Sequence, residues 1–260
     1  MSKIDLKDVT INIPFFWDSE DRVENLHFLV DYLTHHFDTN IIIKEVGKQS
    51  VLAGMPWLSG CEYVYEHSDD PIFHRTKVLN DLCRLSKTKV IANHDVDCIL
   101  PIDAYVLSVK CIMEDKSDIV YGYNGKFMEC NRDRLPILRD TMDFYSVNDS
   151  ELNCLHPTSV GGIIFENREK FIKSGMENEK IIGWSFDDNC RAVRFEKLGL
   201  RVNRSSNYLL HVNHWRGDNS GPSNPYYQQN MQEYIKVNNM SKDQLTSYVS
   251  TWPWNKQINH

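Results

Sequence analysis

Lys89-Val-Ile-Ala-Asn-His-Asp-Val-Asp97 is the stretch that decides the fold class. Its short apolar run reads as a buried strand over 89–93. Two carboxylates, Asp95 and Asp97, follow where that strand ends. Upstream, Val9-Thr-Ile-Asn-Ile-Pro-Phe-Phe16 predicts a first buried strand, its proline near the end. Val23, Leu26, Val30, Leu33 and Phe37 then repeat at helical spacing behind Asp18 or Ser19 as N-cap. A second strand is predicted at 41–46, closed by Gly47, then a loop over 48–72 and a helix over 75–85. This strand–helix alternation predicts an α/β protein with a Rossmann-like, mostly parallel sheet and helices on both faces.

Further strand-like runs fall at 118–123, 160–165, 200–203 and 209–213, and helical patterns at 103–114, 131–144, 167–174 and 187–198. Gly199 stands where a C-cap glycine belongs. From Gly217 the composition turns to Asn, Ser, Gly, Pro and Gln. The packed unit is therefore expected over 1–216, with 217–260 as a helical extension docked on it and Trp252 and Trp254 as anchors.

The chain has 260 residues, 41% of them hydrophobic and 25% charged, which is globular usage and argues against wholesale disorder. A net charge of −7 lacks the field of a nucleic-acid or membrane-surface binder. No apolar run is long enough to span a membrane, and none at the start has signal-peptide length. Seven scattered cysteines with no CxxC pair read as reduced thiols, and a cytoplasmic location is expected.

Ligands of open parallel sheets bind beyond the carboxyl ends of strands, so Asp95 and Asp97 face the expected crevice. Their i, i+2 spacing on extended chain points both side chains one way, and hard oxygens suit Mg²⁺ or Mn²⁺ bridging two phosphates. A DxD also arises by chance in an acidic chain and marks turns. Gly183-Trp-Ser-Phe-Asp-Asp-Asn189 opens a helix. One carboxylate there suits acceptance of a hydroxyl proton while Trp184 stacks on a sugar, although helix capping explains such acids as well. His211-Val-Asn-His214-Trp-Arg216 ends a late strand; both imidazoles suit a metal already held by Asp97, and Arg216 a phosphate. Two surface histidines are the plainer alternative. Gly161-Gly162 either admits a ligand to the backbone or starts a strand.

The order and spacing of these motifs resemble the β-1,4-galactosyltransferase family of GT-A glycosyltransferases and the related domains of chondroitin-type polymerases. The resemblance runs over residues 9–216. It is carried by Ile13-Pro14-Phe15, Phe73-His-Arg-Thr-Lys-Val-Leu-Asn80, His94-Asp-Val-Asp-Cys-Ile-Leu-Pro101, Gly161-Gly-Ile-Ile-Phe-Glu-Asn-Arg-Glu-Lys-Phe171 and the Gly183–Asn189 stretch. It implies a GT-A fold, with Asp97, His214 and His211 as ligands of Mn²⁺, or Mg²⁺. It puts Asp95 by the ribose and Pro14, Phe15, Phe73 and Arg75 around the uridine. Asp188 would be the catalytic base, with Asp187 and Trp184 at the sugars and Gly162 and Asn189 beside them.

The chain departs from the family at four places. Phe16-Trp17-Asp18 replaces arginines, His211 stands for a common Met, Ser185-Phe186 for two glycines, and Asn189 for an acid. The resemblance implies an inverting transferase, and with no membrane anchor or stem read before the domain a soluble bacterial or viral version is expected. It would move a hexose, galactose or N-acetylgalactosamine, from a UDP-sugar to a glycan or glycolipid hydroxyl. The rivals are a retaining transferase or sugar nucleotidyltransferase on the same scaffold, and a glycan-binding protein without turnover. Residues 48–72 and 217–227 are expected lids over the donor.

Overall fold

The computed structural model describes residues 2–215 and 221–258. The chain opens with β1 (Ile4–Phe16), α1 (Glu20–His36), β2 (Phe37–Gly47), β3 (Glu62–His67), α2 (Arg75–Leu85) and β4 (Val90–His94). It continues through β5 (Cys98–Ile99), α3 (Ile102–Met113), β6 (Ile119–Tyr121), β7 (Phe127–Cys130), α4 (Leu135–Thr141), β8 (Asn153–His156), β9 (Ile163–Asn167) and α5 (Arg168–Lys173). The last elements are α6 (Asp187–Leu198), β10 (Val202–Arg204), β11 (Leu209–Val212), α7 (Tyr227–Asn239) and α8 (Lys242–Ser250).

The main sheet runs β10-β6-β9-β4-β1-β2-β3. Only β9 is antiparallel to its neighbours, so the sheet is mostly parallel and Rossmann-like, as expected. Strand alternation puts helices on both faces: Ile42 packs with Val78, Leu79 and Leu82 of α2, while Ile41 and Ile43 join the core that holds Leu26, Leu29 and Leu33 of α1. A second sheet, β5-β11-β7-β8, stands beyond the end of β4.

Several expectations need correcting. Residues 48–72 are not a plain loop: they hold a 3₁₀ turn (Pro56–Leu58) and the edge strand β3. The stretch is tethered, because the buried Glu45 carboxylate accepts from Ser50 Oγ at 2.7 Å, from Val51 N at 2.8 Å and from the Tyr63 hydroxyl. Such anchoring does not suit a lid. The predicted helix over 131–144 is a 3₁₀ turn (Arg132–Arg134), the short α4 and a second 3₁₀ turn (Phe144–Ser146); Pro136 starts α4 and left-handed Met142 ends it. Phe37 begins β2 instead of closing the helical stripe.

The C-terminal segment forms two helices whose Val237, Leu245 and Val249 enter the same buried core as the sheet. Trp252 is fully buried with them, and the indole of Trp254 donates to the carbonyl of Gly175 at 3.2 Å. Gly175, at φ +98°, leaves the space that Val249 and Trp252 occupy.

Candidate functional site

Asp97 meets the histidines through the small sheet. β5 pairs antiparallel with β11, setting Cys98 opposite His211, and Val212 N donates to the Asp97 carbonyl at 2.8 Å. Asp97 Oδ2 then lies 3.0 Å from His214 Nε2, and Asp97 Oδ1 3.8 Å from His211 Nε2. One ligand atom from each of the three fits within 4.8 Å of the others, and all three residues are buried. His214 Nδ1 donates to the Trp215 carbonyl at 2.6 Å, which orients the ring and leaves Nε2 facing Asp97. Burial works to raise the Asp97 pKa, yet His211, His214 and Arg22 hold it well below the usual carboxylate value. Burial, reinforced by Asp97 and Asp95, pushes the adjacent Cys98 thiol well up. One carboxylate and two imidazoles are a nitrogen-rich donor set that suits a transition-metal dication such as Mn²⁺ better than the oxygen-seeking Mg²⁺.

A cleft opens at this cluster, lined by Pro14, Phe15 and Phe73, by Arg75 and Asp95, and by Trp184 among others. Phe16 and Phe73 stack with centroids 5.3 Å apart. Trp184 is 37% exposed. Arg75 does more than line the wall. Its guanidinium donates to Asp95 Oδ1 at 2.7 Å and to Asp187 Oδ2 at 2.6 Å, and lies 3.6 Å from Asp188 Oδ1. Burial opposes that charge, but Asp95, Asp188 and Asp187 raise the Arg75 pKa well above its usual value.

Asp187 and Asp188 begin α6 and sit behind Arg75. Burial first, then the neighbouring Asp188, pushes Asp187 up to about 7, with Arg75 pulling the other way. Asp188 Oδ1 accepts from Arg191 at 2.6 Å, and Arg191 also pairs with buried Glu177 at 2.7 Å. A Cβ on Gly161 would lie 2.2 Å from Asp188 Oδ2, so that glycine is what admits the carboxylate. At φ +81° the absent side chain of Gly162 leaves room for Leu209, Phe127 and Cys98. Asn189 is exposed on α6. Arg216 lies outside the described residues, as does part of the predicted lid over 217–227.

Sequence reasoning missed Arg22, which reaches the cleft from α1 and contacts Asp97 Oδ2 at 3.4 Å. A basic residue in a first helical turn, against the dipole, was the available signal. It also missed the brace behind Trp184. Asn230 of α7 accepts from Ile182 N at 3.0 Å and donates to Ile182 O at 2.7 Å and Ser185 Oγ at 2.9 Å. Asn224 donates to Ile182 O at 2.8 Å, and Phe186, at φ +62°, packs on Tyr227 and Tyr234. Ser185 and Phe186, which replace the family's glycines, thus tie this loop to α7.

No protein-family model matches the chain, and no curated protein matches it. Among solved structures it is similar to the catalytic domain of Drosophila β1,4-galactosyltransferase 7 in complex with xylobiose, at 18% identity and a TM-score of 0.43. A mutant of that Drosophila enzyme, in complex with manganese, UDP-Gal and xylobiose, aligns at 19% identity and the same score. In both cases the alignment takes 75% of this chain and spans only 63% of the galactosyltransferase chain. A mycobacterial protein matches at a TM-score of 0.54 and 15% identity, over 89% of this chain and 75% of its own. That likeness is one of fold.

Proposed function

We propose that this protein is a divalent-metal-dependent glycosyltransferase moving a hexose, galactose or N-acetylgalactosamine, from a UDP-sugar to a glycan or glycolipid hydroxyl with inversion. The observation that carries the reading is the gathering of Asp97, His211 and His214 within 4.8 Å at a cleft that Asp95, Arg75, Phe73 and Trp184 also line. Asp97, His211 and His214 would hold Mn²⁺ or Mg²⁺, which when bound supplies charge neutralisation for a departing diphosphate. Pro14 and Phe73 suit the flat face of uracil and Asp95 a ribose hydroxyl, whereas the Phe15 ring, expected there too, is fully buried in the core. Trp184, partly exposed at the cleft, suits a sugar ring.

Asp188 is assigned the base. Arg191 holds its Oδ1, leaving Oδ2 beside Gly161. The acceptor hydroxyl gives its proton to Asp188 as its oxygen bonds to the anomeric carbon and the bond to UDP breaks on the opposite face. Seven free cysteines favour a reducing, cytoplasmic setting, and among the described residues no helix is long and apolar enough to cross a membrane.

Calorimetry of UDP with Mn²⁺, with Mg²⁺ and with EDTA tests this. Binding is expected only with metal and should vanish in Asp97→Ala. No UDP binding under any metal condition overturns the reading.

A further inference from the structure

We infer that Arg22 is the diphosphate-binding group of this cleft, and that it makes metal and diphosphate bind cooperatively. The inference rests on the metal site proposed above, but not on the identity of the base or sugar. Arg22 rises from the first turn of α1, its side chain 27% exposed. Asp18 grips its Nε at 2.9 Å, and Nη1 lies 3.4 Å from Asp97 Oδ2. Among the described residues its Nη2 has no hydrogen-bond partner. The guanidinium is thus oriented from behind by one carboxylate while its outer edge faces the cleft.

The contact with Asp97 gives the arrangement its consequence. Arg22 touches Oδ2, the oxygen that also faces His214 at 3.0 Å. Once that oxygen serves as a metal ligand, Arg22 stands within a few ångströms of a dication, and like charges so close repel. An anion lying between them removes the repulsion, and a guanidinium fork matches two phosphate oxygens. Arg22 therefore penalises bare metal and rewards metal with diphosphate. Such coupling is reciprocal, each ligand raising the affinity for the other. It also accounts for the phenylalanine, tryptophan and aspartate at 16–18. Cationic charge reaches the cleft from α1 instead of from β1, and Asp18 positions it.

The test compares wild type, Arg22→Gln and Arg22→Lys by calorimetry with Mn²⁺ alone, and with UDP, uridine and inorganic pyrophosphate in Mn²⁺. Thermal melting checks that each variant folds. For Arg22→Gln the affinity for UDP and for pyrophosphate should fall about 10- to 100-fold, the span of a lost charge-assisted contact. Uridine affinity should hold and affinity for Mn²⁺ alone should rise, with Arg22→Lys between the two. A merely structural role would weaken all four together. Unchanged UDP and pyrophosphate binding, or weakened Mn²⁺ and uridine binding, overturns the inference. If wild type binds no UDP, the proposed function falls, and the pyrophosphate arm still decides the role of Arg22.

Discussion

Arg75 ties the two acidic motifs together, bonding Asp95 after β4 and Asp187 at the head of α6. Around it, single side chains carry separable tasks. If Asp188 takes the acceptor proton, Asp188→Asn should cut turnover by about 10²–10⁴ while UDP affinity persists. Gly161→Ala should do nearly the same by pushing the carboxylate aside, since the added Cβ would lie 2.2 Å from Oδ2. Steady-state kinetics beside UDP calorimetry checks both, and full turnover in either removes Asp188 as the base. His94 offers a pH test. It is fully buried, its Nδ1 donating to the Asp95 carbonyl at 2.8 Å and its Nε2 2.8 Å from the Tyr105 hydroxyl, an arrangement for neutral imidazole. Burial lowers it to about 4 from 6.5, against the pull of the Asp95 carbonyl and Asp97. Between those values the unfolded chain takes a proton that the folded one refuses, so stability falls as pH drops through the window, by about 3 kcal/mol in all. Urea melts at stepped pH should show a gentler slope in His94→Gln.

Among the elements, the loop that carries Trp184 is held by α7. Removing the Asn230 amide strands the Ile182 N–H and the partners it bonds, at a cost of about 1–3 kcal/mol. Asn230→Ala should therefore lower the melting temperature and kcat while sparing uridine affinity; lost stability with unchanged kcat would make the brace purely structural. α2 was legible to the residue because its apolar spacing is local, and Gly199 ends α6 in the left-handed conformation expected of it. β7 and β8 escaped notice because they are four residues each, largely unburied and without alternation, so only pairing makes them strands. The edge strand β3 was missed because its strand-prone run, Tyr63-Val64-Tyr65, is only three residues long between charged neighbours and half-exposed.

At the scale of the whole molecule, α7, α8 and Trp252 share the core of the sheet. Removing residues from 217 onward should leave a chain that binds hydrophobic dye and melts without cooperativity, and Trp252→Ala alone should cost about 3–5 kcal/mol. A cooperative melt of the shortened chain would mean that its core stands alone. The mostly parallel sheet, its helices on two faces and the candidate ligands at strand ends were all readable from the chain, because periodicity and punctuation act within a few residues. The meeting of Asp97 with His211 and His214 was expected from the motifs, and the pairing of β5 with β11 brings it about. The supporting contacts were not readable: that Arg22 reaches Asp97 and Asn230 reaches Ser185 follows from helix packing. Those contacts join residues far apart in the chain, and a charged side chain's sequence neighbours do not say which buried partner it will find.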